Sequence, residues 1–302
     1  MNRKIKAYIV SFRLRTLPLS LSGVILGALL AAADGYFNGY TFAWALLTTM
    51  ALQILSNLAN EVGDLDKGTD NERRLGPIRS AQSGALSKRE MIRAMVVVGG
   101  IAVVTGSLLV YEAFRDLLNW KSLTLLLAGA ASIVAAVKYT VGRDAYGYKG
   151  LGDLFVFIFF GLVSVVGSYF AMSGQFPWII LLPAAAVGWL SAGVLNMNNI
   201  RDMENDAVCG KRTLPVKLGL KGAKRYHYVI MTLAMSAMLL YTLIHPAGWC
   251  GYLFLLAYPL LLAHLGRVVR GQGKALDSEL KRLSLATLLM SLLCGFGQIL
   301  GN

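Results

Sequence analysis

The sequence predicts an all-α integral membrane protein with nine transmembrane helices, its N-terminus in the cytoplasm and residues 1–302 forming one membrane-embedded domain. Three observations lead there. Of 302 residues, 56% are hydrophobic and 15% charged, with a mean hydropathy of +0.58, whereas soluble domains carry roughly 25% charged residues. Such a chain is too apolar to be disordered and too poor in charge to cover a soluble enzyme. Uncharged stretches of bilayer-spanning length recur along it. Finally, 27 of the 29 Lys and Arg residues fall on one side of the predicted spans. That asymmetry is what the positive-inside rule requires of a correct count and orientation.

The spans follow in order. Stretches without Asp, Glu, Lys or Arg run 16–33, 35–60, 94–111, 122–137, 154–200, 226–266 and 283–302. A crossing needs about 20 mostly apolar residues at 1.5 Å rise. The first, at 18 residues, exceeds the usual apolar region of a signal peptide, about 7–15 residues, and reads as a span. The fifth and sixth, at 47 and 41 residues, each hold two crossings. Their breaks are Ser173-Gly174-Gln175-Phe176-Pro177 and His245-Pro246-Ala247-Gly248. The basic segments are then 1–15, 64–93, 138–149, 201–225 and 267–282, and only Arg115 and Lys121 lie opposite. The net charge of +13 is therefore that of cytoplasmic loops beside a lipid bilayer; no nucleic-acid partner is expected. Cys209, Cys250 and Cys294 form no CxxC pair and imply neither a disulfide framework nor a metal site.

Polarity is concentrated in two cytoplasmic segments. The first runs Asn57-Leu-Ala-Asn60-Glu61-Val-Gly-Asp64-Leu-Asp66 to Asp70, followed by Arg73, Arg74 and Arg79; the second runs Asn196-Met-Asn198-Asn199-Ile-Arg201-Asp202-Met-Glu204-Asn-Asp206, followed by Lys211 and Arg212. Asn60-x3-Asp64 and Asn198-x3-Asp202 share one spacing at an offset of 138 residues, which fits a duplicated four-helix unit in parallel orientation. Asn57, Glu61 and Asp64, and likewise Asn199, Asp202 and Asp206, are spaced to share one helix face. Opposed, the two faces would crowd carboxylates that repel unless a cation lies among them. Oxygen ligands without His or Cys suit Mg²⁺ bridging to phosphate, and the neighbouring Arg and Lys residues suit the remaining phosphate oxygens. A secondary transporter is the non-enzyme alternative. It would carry such residues near the bilayer midplane, whereas here they sit at helix ends.

These two segments resemble the paired aspartate-rich motifs of the UbiA superfamily of intramembrane aromatic prenyltransferases, and most nearly the subfamily acting on 1,4-dihydroxy-2-naphthoate in menaquinone synthesis. The resemblance is carried by Arg13-Leu-Arg15-Thr-Leu-Pro18, by Asn57 through Gly84 (with Gly68-Thr69-Asp70 and Gln82-Ser83-Gly84), by Tyr139 through Asp153 and by Asn198 through Leu214. It implies nine helices around a central cavity, and transfer of a polyprenyl group from polyprenyl diphosphate to an aromatic ring. It further implies a multi-pass protein of the bacterial cytoplasmic membrane. By position it implies that Asn60, Asp64, Asp70, Asp202 and Asp206 hold Mg²⁺ and diphosphate, with Asp64, Asp202, Arg13 and Tyr139 catalytic. Asn60, Arg79, Asn199, Lys211 and Arg212 are expected to bind substrate. Other acceptors in the family are 4-hydroxybenzoate, homogentisate and a chlorophyll precursor. Glu61 stands where many members have Asp. Lys138 reads either as facing the cavity or as snorkelling to the interface. His227, His245 and His264 are scattered through the last third and are not expected to converge.

Overall fold

The computed structural model describes residues 3–302. Nine helices among them are long and apolar enough to cross a membrane: Arg3–Ala33, Gly39–Asp66, Lys88–Phe114, Trp120–Lys138, Gly152–Ser173, Trp178–Arg201, Leu214–Ile244, Cys250–Arg270 and Gly273–Gly301. They are the first to ninth spans below. Both long apolar stretches divide where the turn residues lie, with Gly174 in the left-handed region at φ 64°. The helices overrun the uncharged stretches because charged side chains at their ends reach polar surroundings while the backbone stays helical.

The first span is two helices. Residues Arg3–Phe12 form a short amphipathic helix, the pattern of an element lying in a membrane interface. Arg13 then turns the chain in the left-handed region at φ 48°, and Leu17–Ala33 carries the crossing with Pro18 in its first turn. Asn38 caps the second span through Tyr40 N and Thr41 N. A Ser87–Glu90 capping box opens the third, and Asn119 caps the fourth. The fifth span is wound as a π-helix over Phe157–Val166.

Small residues let the first, fifth and sixth spans approach closely. A Cβ on Gly27 would stand 2.2 Å from Val165 O, and one on Gly161 would stand 2.6 Å from Ala184 O. In lipid, where apolar burial gives little drive to associate, such close backbone contact is what holds helices together. The main buried cluster gathers Leu26, Val165, Leu190, Met231, Phe254 and Met290 from six spans.

Loop contacts sort the two ends of the bundle. The segments that hold most of the basic residues meet one another: Ser80 Oγ donates to Ala7 O at 2.8 Å, Lys217 Nζ to Lys149 O at 2.6 Å and Lys224 Nζ to Gly271 O at 2.8 Å. At the other end Tyr169 donates to Asp34 at 2.6 Å and Gln175 to Tyr36 at 2.8 Å.

One expectation is overturned inside the bundle. His227 and His264 converge, Nε2 to Nε2, at 2.9 Å. His264 Nδ1 is 2.8 Å from Glu279 Oε2, and Asn196 Nδ2 lies 3.5 Å from His227 Nδ1. Four buried polar side chains thus join in one chain of contacts across the last four spans, as burial in a low dielectric favours, with Asn196 Oδ1 left without a partner. His245 stays apart, 3.3 Å from Gln298.

Candidate active site

A cavity of about 870 Å³ opens at the basic end, lined by Arg13, Asn60, Glu61, Asp64, Arg74, Arg79, Tyr139, Asn198 and Lys211 above a long apolar depth. The second span supplies its acidic wall. Gly63 lets that helix approach Thr140, since a Cβ there would stand 2.6 Å from the Thr140 backbone. Thr140 Oγ1 donates to Ala59 O at 2.9 Å, and Lys67 Nζ to Thr140 O at 2.8 Å. These contacts bring the loop carrying Tyr139, Tyr146 and Tyr148 onto the end of the helix. Tyr148 then donates to Asp64 Oδ1 at 2.8 Å. Tyr139 meets Tyr146 edge-on at 5.4 Å, and Tyr146 stacks on Phe155 at 3.9 Å. The aromatic side of the cavity follows from those packings.

The two acidic segments interlock. Asn205 Nδ2 donates to Thr69 O at 2.9 Å, and Asn71 Nδ2 lies 3.3 Å from Cys209 Sγ. Four cations separate the carboxylates they bring together. Arg79 Nη1 bridges Asp64 Oδ2 at 2.9 Å and Asp70 Oδ2 at 2.6 Å. Arg74 Nε lies between Asp70 at 3.5 Å and Asp202 at 3.6 Å. Arg201 takes Asp202 at 2.7 Å, and Lys211 approaches Asp64 Oδ1 at 3.2 Å. The repulsion expected from the sequence is thus answered by buried Arg and Lys side chains.

The electrostatics follow from these contacts. Burial raises the Asp70 carboxyl, with the nearby Asp64 adding to it, against the pull of Arg79 and Arg74. Burial also pushes Asp206 up, to about 7, with Asp202 and Asp64 adding to the rise and Lys211 opposing it. Burial opposes ionisation of Asp202 too, but the hydrogen bond and charge of Arg201, with Arg74, hold it below the usual carboxylate range. Burial and the Asp64 charge raise the Tyr148 hydroxyl, so it stays a proton donor to that carboxylate.

The structure brings most of the expected residues to this end, with different exposures. Arg13, Asn60, Asp64, Arg79, Tyr139 and Lys211 line the cavity, while Asp70, Asp202 and Asp206 lie buried behind them. Asn199 is buried off the cavity lining, and its neighbour Asn198 takes the cavity position and accepts from Arg201 at 2.8 Å. Arg73, Arg212 and Lys138 are exposed. The single helical face expected for Asn199, Asp202 and Asp206 is interrupted, because the helix ends at Arg201 and a new one starts at Met203. Glu61 accepts Ala81 N at 2.7 Å and so anchors the loop after Asp70. Sequence reasoning passed over the Tyr148–Asp64 contact and the pairing of Arg201 with Asp202 and Asp277, the latter at 2.5 Å. An arginine directly before an aspartate at a helix end was the available signal for the second.

Among the described residues no three His, Cys, Asp or Glu side chains converge closely enough to hold a metal ion. The donor set is nonetheless oxygen-rich. Asp70 Oδ1 is buried and accepts no hydrogen bond, and the carboxylates and the Asn60 amide are hard oxygen donors of the kind Mg²⁺ takes.

The profile of the UbiA prenyltransferase family matches residues 20–293. The chain is 39% identical to the 1,4-dihydroxy-2-naphthoate octaprenyltransferase of Haemophilus influenzae, over 100% of this chain and 98% of the relative. Its fold is similar to the apo structure of a UbiA homolog from Aeropyrum pernix K1, with TM-score 0.72, 21% identity, and coverage of 94% of this chain and 97% of that one. It is similar as well to a UbiA homolog from Archaeoglobus fulgidus bound to DMAPP and Mg²⁺, with TM-score 0.60, 17% identity, and coverage of 97% and 99%.

Proposed function

The chain belongs to the UbiA prenyltransferase family, and on that premise we propose that it transfers a polyprenyl group from polyprenyl diphosphate to 1,4-dihydroxy-2-naphthoate, with loss of CO₂. The reaction places it in menaquinone biosynthesis, as a Mg²⁺-dependent enzyme of the bacterial cytoplasmic membrane with its N-terminus and its basic end in the cytoplasm. Residues 1–302 act as one domain. The observation that carries this reading is the ring of carboxylates and cations at the mouth of an apolar cavity, in a chain 39% identical to a naphthoate octaprenyltransferase over its whole length.

Asn60, Asp64, Asp70, Asp202 and Asp206 would hold Mg²⁺. When bound, the ion neutralises the charge that grows on diphosphate as it leaves. Arg74, Arg79 and Lys211 face the same space and pair with phosphate oxygens; arginine forks suit that geometry. Breaking the allylic C–O bond sends its electron pair to the diphosphate oxygen and leaves an allylic cation. Tyr139, Tyr146 and Phe155 present aromatic faces that attract such a cation, and the apolar walls keep water from capturing it. A ring carbon of the acceptor supplies the pair for the new C–C bond. The carboxylate departs as CO₂, and its bonding pair restores the aromatic ring. Arg13 holds that carboxylate beforehand: it lines the cavity, and its Nη2 is buried without a hydrogen-bond partner.

The test incubates purified protein with Mg²⁺, a polyprenyl diphosphate and candidate aromatic acids, and reads product mass. A decarboxylated, prenylated naphthalenediol supports the reading. Mass gain on 4-hydroxybenzoate alone would move the acceptor to another subfamily, and no prenyl transfer to any acid would reject the enzyme.

A further inference from the structure

Gln53 and Arg13 line the same cavity, and the hydrogen bonds between them determine what Gln53 can offer a ligand. Asn57, one turn nearer the cavity mouth, donates through Nδ2 to Phe12 O at 2.9 Å. The same nitrogen lies 3.1 Å from Thr16 Oγ1, which itself donates to Arg13 O at 2.9 Å. A backbone carbonyl can only accept, so the Asn57 amide has one workable orientation, nitrogen toward Phe12. Its Oδ1 must then face Gln53, which donates Nε2 to it at 3.2 Å. That leaves Gln53 Oε1 pointing away from Asn57, buried and without a hydrogen-bond partner. Gln53 itself is 8% exposed. A buried acceptor left unpaired is destabilising, and a ligand's hydrogen-bond donor would relieve it.

We infer that Gln53 Oε1 is the specificity-determining acceptor for a ring hydroxyl of the aromatic substrate. This rests on the prenyl-transfer reading above. An amide oxygen with its own nitrogen already committed takes only an O–H or N–H donor. The cavity therefore carries two different anchors: the unpartnered Arg13 nitrogen for a carboxylate, and Gln53 for a hydroxyl deeper on the second span. An aromatic acid with a ring hydroxyl ortho or meta to its carboxylate, as in 1,4-dihydroxy-2-naphthoate, suits both. Because Phe12 and Arg13 belong to the left-handed turn between the two helices of the first span, that turn sets both anchors at once. A site whose buried acceptor expects a hydroxyl rejects the analogue that lacks it, because the acceptor then stays unpaired.

The test compares wild type with Gln53→Leu, and measures the inhibition constants of 1-hydroxy-2-naphthoate and 4-hydroxy-2-naphthoate against the dihydroxy acid. In wild type one of the two monohydroxy acids should bind at least about tenfold more weakly than the other. In Gln53→Leu that discrimination should fall below about twofold, with the KM for prenyl diphosphate unchanged. Gln53→Glu keeps an acceptor at the same place; it should retain the discrimination while weakening all anionic acceptors alike. Wild type that treats the two acids equally, or a Gln53→Leu protein that discriminates as wild type does, overturns the assignment. So does an equal loss of prenyl diphosphate affinity, which would mark a purely structural role. Absence of naphthoate prenylation in wild type would instead remove the premise and is read separately, from product mass.

Discussion

Replacing Asp64 by Asn changes one charge and almost no volume. In the native protein its carboxylate receives Tyr148 at 2.8 Å, Arg79 at 2.9 Å and Lys211 at 3.2 Å. Two unit charges about 4 Å apart attract by about 4 kcal/mol at an effective dielectric of about 20, so two strong attractions vanish in Asp64→Asn. The fold has reserves: Arg79 keeps Asp70 at 2.6 Å, and the amide oxygen still accepts from Tyr148. On the proposed reading the reaction has none, since Asp64 lines the cavity and is one of the carboxylates proposed to hold Mg²⁺ and fix the phosphate-binding cations. Removing one preorganised electrostatic element costs about 2.7–4 kcal/mol of transition-state stabilisation, so kcat should fall at least about a hundredfold. Steady-state prenyl transfer at saturating substrates, beside a thermal unfolding curve, separates the two effects. A folded Asp64→Asn enzyme with more than a tenth of wild-type kcat and an unchanged Mg²⁺ requirement would refute the reasoning.

Three further outcomes are expected. EDTA should abolish turnover and Mg²⁺ restore it; undiminished turnover in EDTA would contradict the assignment of the oxygen ligands. A reporter fused after Asn302 should lie outside the cytoplasm, opposite residues 64–93, because nine spans place the two ends of the chain on different sides. A cytoplasmic reporter would require an even number of spans. Arg13→Ala should raise the acceptor KM far more than the KM for prenyl diphosphate, and equal effects on both would remove Arg13 from the acceptor side.

Much of the fold was legible because lipid imposes a simple rule. A run of about 20 apolar residues must be a helix that satisfies its own backbone. The two long stretches divided at the turn residues for the same reason. What periodicity did not carry was partnership. Arg74 read as a cation for phosphate oxygens, yet it also lies 3.6 Å from Asp202 of the other acidic segment, a contact that exists because the two segments interlock at Asn205–Thr69 and Asn71–Cys209. Asn199 satisfied the helical spacing, but the helix ends at Arg201 and its neighbour Asn198 lines the cavity. His227 and His264 meet only because their two spans are adjacent in space, which spacing along the chain does not encode. Polar residues inside the uncharged stretches, such as Asn196, His227 and His264, were the visible hint, since such groups need one another in a membrane. Gln53 belonged to the same class, and what distinguishes it is an unpaired oxygen on a residue that lines the cavity.

The acceptor decides the account. Purified enzyme, Mg²⁺ and a polyprenyl diphosphate are supplied in parallel with 1,4-dihydroxy-2-naphthoate and with 4-hydroxybenzoate, and both product mass and released CO₂ are recorded. On the proposed reading Arg13 and Gln53 anchor an acid whose hydroxyls lie ortho and meta to its carboxylate; 4-hydroxybenzoate has only a para hydroxyl on a single ring, and attack on a short-lived cation depends on orientation. The account predicts prenylation and stoichiometric CO₂ from the naphthoate, and no product from 4-hydroxybenzoate. Efficient prenylation of 4-hydroxybenzoate would contradict it.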